Sequence, residues 1–292
     1  YFSQGPFNKA QKRLAAACSA ARSFFLVGGS SIGLQASILY ATPGAKVLMA
    51  RDAHKMCINA CILAGAEPVF LDTGYNTYLQ LPMLPTPESV AQALDKDKSI
   101  SAVVITYPNY YGSCCDIGAI ARVVHSAGKL LIADEAHGAH FPYSSLMPAS
   151  SGCLGADIWV QSAHKTLPAL TQGAYLHCAQ NIDSERLAKY IRILQTTSPS
   201  FVLLESLDRA RSIMERRGEK GYKRLFRYVE ALKKSIEGSG FEFADLSATG
   251  EQARDFSRLV IDARRVGISG VELDKRLQQA GVYSEMSDIY RV

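Results

Sequence analysis

Seven short apolar runs, separated by longer segments with helical spacing, limit what this chain can fold into. The runs are FFLVGG (24–29), AKVLMA (45–50), EPVFLD (67–72), SAVVITYP (101–108), KLLIADE (129–135), ADIWVQS (156–162) and GAYLHCA (173–179). Runs of Val, Ile, Leu and Ala with little polar alternation are expected of strands covered on both faces, and such strands belong to parallel sheets. Helical patterns at 32–41, 54–65, 87–96, 116–127 and 183–194 supply crossovers between them. The spacing predicts an α/β fold with a doubly wound, mainly parallel seven-stranded sheet. The last run follows its predecessor without room for a crossover helix, so it is expected to run antiparallel.

Beyond about residue 205 the texture changes. A long charged helix is predicted over 206–238, followed by FSRLVIDAR, SGVELDKRLQQAG and VYSEMSDIYRV, which read as strand, helix, strand. The expected division is a large domain over 1–205, then a linking helix and a smaller α+β C-terminal domain over 206–292. The chain opens on Tyr1 rather than Met and closes on an apolar strand, so further natural residues are expected at both ends and the smaller domain is expected to be incomplete.

Hydrophobic residues make up 48% of the 292 and charged residues 20%, which is enough to build a core without disulfides or structural metals. The seven cysteines are an odd number set mostly among small or apolar neighbours. They read as reduced small hydrophobes of a cytoplasmic protein. CINAC (57–61) lacks the spacing of a zinc knuckle and no second Cys/His pair follows, so no metal site is expected. Much of the net charge of +5 lies in 209–238. A solvated helix accounts for it, and no aromatic-interleaved basic groove argues for nucleic acid. No run of apolar residues is long enough to span a membrane, and no secretory signal is visible.

In open α/β sheets ligands bind beyond the carboxyl ends of the strands, so the residues there carry the search for chemistry. GGSSIG (28–33) follows the first run. Ser30 and Ser31 at a helix start are either N-caps or a phosphate site, since that end offers unpaired N–H groups and a positive dipole. It is neither a P-loop nor GxGxxG. His54 in RDAHK is either a capping residue or an aromatic cover for a planar ligand. TYPNYYG (106–112) reads as a turn and a pocket wall. Asp134 ends an apolar strand and needs a partner there, whether a salt bridge, a cap or a cationic ring N–H. Lys165, in QSAHKT, sits between apolar stretches that argue for burial, against the exposure usual for lysine. A buried amine is a usable nucleophile for imine chemistry. Ser162 and His164 beside it are candidate phosphate contacts. A phosphate site, a flat-ring cover, an acid for a ring nitrogen and an imine-forming lysine together describe pyridoxal 5'-phosphate.

DEAHGAHF, SAHKTLPALTQGA and QTTSPSF, with FFLVGGSSIG, RDAHKM, TYPNYYG and VGISGVELDKRL in the same order, resemble the pyridoxal-phosphate-dependent ornithine/lysine/arginine decarboxylases of the aspartate-aminotransferase-like fold. The resemblance covers nearly the whole chain. It implies a lyase that decarboxylates lysine, ornithine or arginine, with an amine product of the polyamine-metabolism class. It implies that Lys165 holds the cofactor as an imine, Asp134 pairs with the pyridine nitrogen and His54 stacks on the ring. Ala136 would pack beneath the ring and His137 lie close to it, while Ser30, Ser31, Ser162 and His164 would contact the phosphate. Lys165 or a nearby histidine would return the proton to the substrate carbon. Thr197 would reach the phosphate of a neighbouring subunit, which implies a homodimer or an assembly of dimers with sites at the interface. Glu285 is a candidate for the far cationic end of the substrate, and Asp288 a weaker one.

The sequence departs from the family pattern in places. Two serines stand where a Ser–Thr pair is common, and His137 stands where the large inducible lysine and arginine enzymes carry a tryptophan. The chain shows no N-terminal receiver-like wing and resembles the shorter branch. An aminotransferase or β-eliminating lyase on the same fold, or a non-catalytic paralogue, is the competing expectation. An aminotransferase needs an arginine for the α-carboxylate, for which Arg264, Arg265 and Arg291 are the small-domain candidates.

Overall fold

The computed structural model describes residues 5–41 and 45–292; Tyr1, on which the chain opens, lies outside them. The seven runs become seven strands, numbered here β1 (Arg22–Leu26), β2 (Lys46–Ala50), β3 (Glu67–Leu71), β4 (Ile100–Thr106), β5 (Leu130–Asp134), β6 (Ile158–Gln161) and β7 (Ala174–Cys178). They form one sheet in the order β1–β7–β6–β5–β4–β2–β3. All are parallel except β7, which pairs antiparallel with both β1 and β6. Both the class and the reversed strand agree with the sequence reading.

Helices α1 (Pro6–Ala17), α2 (Gly29–Ala41), α3 (Lys55–Ala64), α4 (Pro87–Lys96), α5 (Ile117–Ser126), α6 (Ala163–Thr166) and α7 (Ser184–Leu194) surround the sheet. The two-residue period of each strand assigns its side chains to opposite faces. Val47, Met49, Val104, Ile132 and Val160 pack with Leu34, Ile38 and Leu187 of α2 and α7. Leu48, Val103, Ile105, Leu131 and Trp159 pack on the other face with Val90, Ile117 and Ile120 of α4 and α5. Each such side chain is worth about 2 kcal/mol of transfer free energy, and this double coverage explains why the strands lack a polar alternation. Cys57 and Cys61 lie one helical turn apart on the inner side of α3, inside the first of these clusters, so CINAC spacing is a packing pattern. Among the described residues no group of side chains could hold a metal ion, and no helix is long and apolar enough to cross a membrane.

Helix α8 (Phe201–Ile236) starts five residues earlier than predicted, where Ser200 accepts a hydrogen bond from Leu203 N. Its charges are paired along its own surface, as in Arg209–Glu205 and Lys223–Glu219, in keeping with a solvated face. After it, the predicted strand–helix–strand is only partly realised. Helix α9 (Gly270–Gln279) forms, but 256–264 keeps only Ile261–Asp262 as strand. The segment 282–292 contributes a single bridge, Asp262 to Arg291. Asp288 accepts from the backbone N–H of Tyr290 and Arg291, which turns the chain there, and a two-stranded ribbon gains little from extending further.

The C-terminal segment docks on the sheet region by another short pairing. Ala253 and Arg254 lie antiparallel to Cys114 and Ser113, and Asp255 N donates to Gly112 O at 2.8 Å. Gly112 has φ +87°, and a Cβ there would come within 2.7 Å of Arg258 Cβ. Only glycine combines that backbone with so close a neighbour.

Candidate active site

The parallel strands all end on one side, and the residues just past β1, β2, β4, β5 and β6 line one cavity of about 440 Å3. Ser30, Ser31, His54, Asp134, Ala136, His137, Ser162, His164 and Lys165 are all in its wall. Nine side chains singled out from four separate stretches of sequence therefore converge. Thr197 does not join them. It is exposed and lines a separate groove beside α1, β1 and α7.

Ser30 and Ser31 sit in the first turn of α2, which starts at Gly29 with φ +79°. The turn is pinned by Gly29 N donating to Gln172 O at 2.8 Å. Ser162, buried at the end of β6, donates from Oγ to Ser30 Oγ at 2.9 Å. The result is a hydroxyl cluster at a helix N-terminus, a place suited to an anion. His164 is fixed next to it by Nδ1, 2.9 Å from Gly173 O. His54 is the N-cap of α3, with Nδ1 accepting from Met56 N at 3.2 Å. His54 thus caps α3 and also lines the cavity.

The adjacent acids Asp134 and Glu135 part company. Asp134 is buried and lines the cavity, with Oδ1 accepting from Ala136 N at 3.2 Å. Burial raises its pKa, opposed by that hydrogen bond and by the charges of Lys165 and His54. Glu135 enters a closed polar network and does not reach the cavity. Its carboxylate accepts from Ser150 Oγ at 2.8 Å, Ser151 N at 2.6 Å and Gln161 Nε2 at 2.6 Å, and from Ser151 Oγ.

Lys165 corrects one expectation. The residue is exposed, because the cavity is open above it. Its amine nevertheless has a lowered pKa. Desolvation against the cavity wall is the main cause, Arg258 adds to it, and Asp134 and Glu285 act in the opposite direction. Lys165 Nζ lies 3.1 Å from His137 Nε2, and the other ring nitrogen of His137, Nδ1, lies 3.1 Å from an Arg258 Nη2. Burial first, then the charges of Lys165, Arg258 and His54, pushes the His137 pKa down to about 3.

At the rim, Tyr110 donates from its hydroxyl to Glu285 Oε1 at 3.1 Å, and Tyr110 lines the cavity. Glu285 is exposed. Asp288 is committed to its own turn. The three arginines considered for a carboxylate are also committed. Arg264 binds Asp262 and Tyr78 O, Arg265 pairs with Glu242, and Arg291 binds Leu79 O.

Sequence reasoning missed Arg258 and Ser113, and it gave Thr106 no role beyond its place in the 106–112 pocket wall. Thr106 ends β4, so the strand-end rule applied to it as well. Thr106 Oγ1 and Ser113 Oγ are buried without a hydrogen-bond partner among the described residues, and both residues line the cavity. Arg258 carries no local signal, since its partner is 121 positions away.

The Orn/Lys/Arg decarboxylase major-domain family matches residues 1–265. The chain is 35% identical over 288 residues to the uncharacterized protein YaaO of Bacillus subtilis, covering 97% of this chain and 60% of that protein. It is 28% identical over 298 residues to an arginine decarboxylase of Bacillus anthracis, covering 99% and 60%. The chain thus spans about 60% of the length of these curated relatives. Among solved structures, lysine decarboxylase A from Pseudomonas aeruginosa superimposes with a TM-score of 0.84 at 20% identity, over 99% of this chain and 48% of that one.

Proposed function

The chain belongs to the Orn/Lys/Arg decarboxylase family, and from that premise we propose that it decarboxylates a basic amino acid (lysine, ornithine or arginine) with pyridoxal phosphate as cofactor. The observation that carries this reading is the convergence in one cavity of an amine, Lys165, a buried acid, Asp134, and a hydroxyl cluster at a helix start, Ser30 and Ser162. The residues fit the cofactor. Two buried wall hydroxyls, on Thr106 and Ser113, have no partner among the described residues, and the helix start supplies N–H donors and serine hydroxyls for a phosphate. Ser30, Ser31, Ser162 and His164 would hold that phosphate, with Thr197 serving the site of a second subunit. Asp134 would hold the ring nitrogen, Ala136 and His54 the two ring faces, and Lys165 the aldehyde carbon.

When bound, the cofactor supplies an electron sink for the pair of electrons left by departing CO2. The protein's own residues do the rest. Asp134 would set its carboxyl group where a ring N–H has to stay protonated, which is electrostatic stabilisation placed in advance. Lys165, its pKa lowered mainly by desolvation, gives up its proton more readily than an ordinary lysine. Lys165 and His137 stand within hydrogen-bond distance of each other, and Lys165 is the member that can hold the proton the substrate carbon takes up after CO2 leaves. Glu285, beside Tyr110 at the rim, has the charge to receive the distal cation of the substrate. Arg264, Arg265 and Arg291 are bonded to other groups and are not in the cavity wall, so none of the three serves as the α-carboxylate clamp an aminotransferase needs.

We further propose the division into a cofactor-binding part up to about residue 205 and a smaller part beyond it, a homodimer or an assembly of dimers, and a role in polyamine metabolism. Seven unpaired cysteines accord with a reducing compartment, so we place the protein in the cytoplasm.

The test is incubation of the purified protein with pyridoxal phosphate and each basic amino acid. Release of CO2 with the matching amine is expected for one of them. Borohydride trapping of the cofactor followed by peptide mapping is expected to mark Lys165. A keto acid as product, or a mark on another lysine, overturns the reading.

A further inference from the structure

We propose that Arg258 is a positioning residue that fixes the ring tautomer of His137 and so holds the Lys165 amine as a hydrogen-bond acceptor. The proposal deepens the function proposed above, because it concerns the amine that function requires. It stands on hydrogen-bond geometry and is read without cofactor or substrate.

The three groups form a chain: Arg258 Nη2 to His137 Nδ1 at 3.1 Å, then His137 Nε2 to Lys165 Nζ at 3.1 Å. A guanidinium can only donate. His137 Nδ1 must therefore accept, and it carries no proton. A neutral imidazole then bears its proton on Nε2, which points at Lys165 Nζ. An ammonium has no lone pair to receive it, whereas a neutral amine does. The reverse assignment places a proton on Nδ1 and turns two donors against each other at the Arg258 contact. A doubly protonated ring does the same at both contacts and adds a third cation to the row. One arrangement alone satisfies both distances: Arg258 donating, His137 as the Nε2–H tautomer, and Lys165 as free base.

The backbone that carries Arg258 is pinned. Arg258 N donates to Asp255 O at 3.1 Å, and Asp255 Oδ1 accepts from Ser257 N at 2.9 Å and Ser257 Oγ at 2.6 Å. Asp255 is in turn held by Gly112 O at 2.8 Å and lies 3.0 Å from His140 Nε2. The turn 255–258 thus grips the segment 137–140 at both ends, with Arg258 on His137 and Asp255 on His140. The His137 ring is further held edge-on by Tyr110, with centroids 5.2 Å apart at 73°. The charges facing Lys165 and His137 are Asp134, His54, Arg258, Asp255 and Glu285, and those of Arg258 lower both the lysine and the histidine pKa.

The experiment uses cofactor-free protein with 15N-labelled histidine. Long-range proton–nitrogen spectra are recorded at pH 7 to 8, with His137 assigned by its loss in H137Q. The expected pattern for wild type and for Arg258→Lys, which also only donates, is a protonated Nε2 and a bare Nδ1. Arg258→Met, which cannot donate, is expected to show a mixture of tautomers. In parallel, acetic anhydride pulses with peptide mapping measure the reactivity of Lys165. Removing the Arg258 charge raises the lysine pKa, so labelling of Lys165 at pH 8 in Arg258→Met is expected to fall by about threefold or more, and Arg258→Lys is expected to restore it. A wild-type His137 protonated on Nδ1 overturns the proposal even if Arg258→Met does not fold. An Arg258→Met protein with the wild-type tautomer and labelling rate also overturns it. A failed decarboxylation assay leaves both readouts untouched, so the two readings fail separately.

Discussion

Adjacent residues of one type can be given opposite duties by their surroundings alone, and Asp134 and Glu135 are the case in point. Asp134 faces the cavity with one backbone donor, while Glu135 is fully enclosed by serine and glutamine donors. Burial raises the Glu135 pKa from 4.5 to about 7 in spite of those donors. Between those values the folded chain keeps a proton that the unfolded chain has released. Its contribution to stability is complete below about pH 4.5 and is lost as pH rises through about 7, a change of about 3 kcal/mol. Glu135→Gln abolishes this dependence, but it sets an amide N–H among donors, at a cost of about 1–3 kcal/mol. Urea unfolding of both proteins from pH 5 to pH 8 is expected to show the variant less stable at pH 5 and the gap closing as pH rises. A gap that stays constant or widens removes Glu135 as its source.

At the scale of elements, the contact of α2 with the sheet shows how a helix is brought close enough to aim its N-terminus. A Cβ on Gly33 would lie 2.5 Å from Val160 Cγ1 of β6 and 3.0 Å from Leu26 Cδ1 of β1. Gly33→Ala gains about 1 kcal/mol of helix propensity and incurs about 1–3 kcal/mol of overpacking. Both neighbouring side chains are themselves buried, so overpacking is expected to win and the variant to lose about 1 kcal/mol or more in chemical denaturation. Val160→Ala in the same chain is expected to cost less than it does alone. Strict additivity of the two changes argues that the contact is not what limits α2. Elements of this kind were legible in the sequence, because strands buried on both faces carry their own signature and helix caps such as Asp183 and Thr86 follow local rules. The strand expected over 256–264 was not. Its apolar residues read like the others, but its extent depends on a partner, and the partner segment turns away at Asp288.

At the scale of the whole molecule, most of the cavity wall was legible as residues that follow a strand, whereas of the residues that arrive from the C-terminal segment Glu285 was named and Arg258 and Asp255 were not. Asp134, Lys165 and Ser30 were found by a topological rule. Arg258 and Asp255 are placed by pairings with Gly112, Ser113 and Cys114, more than a hundred positions away, which no local pattern encodes. This dependence makes the docking of the C-terminal segment measurable. His140 and Asp255 are both buried, with Nε2 and Oδ2 3.0 Å apart. Burial works against the Asp255 charge, but the facing His140 and the bonds from Ser257 hold its pKa below the usual carboxylate value. Removing one member leaves the other enclosed without its partner, a loss of about 3–5 kcal/mol. His140→Ala, Asp255→Ala and the double variant are therefore expected to be coupled by about 1–3 kcal/mol in a double-mutant cycle of unfolding free energies. Each single variant is also expected to be cut faster by protease within 245–260, because the turn that carries Arg258 then loses its buried anchor and keeps only Gly112 O, the short pairing and the Arg258–His137 contact. Additive free energies with unchanged cleavage mean that this pair does not hold the segment, and that the 113–114 pairing suffices to bring Arg258 to the site.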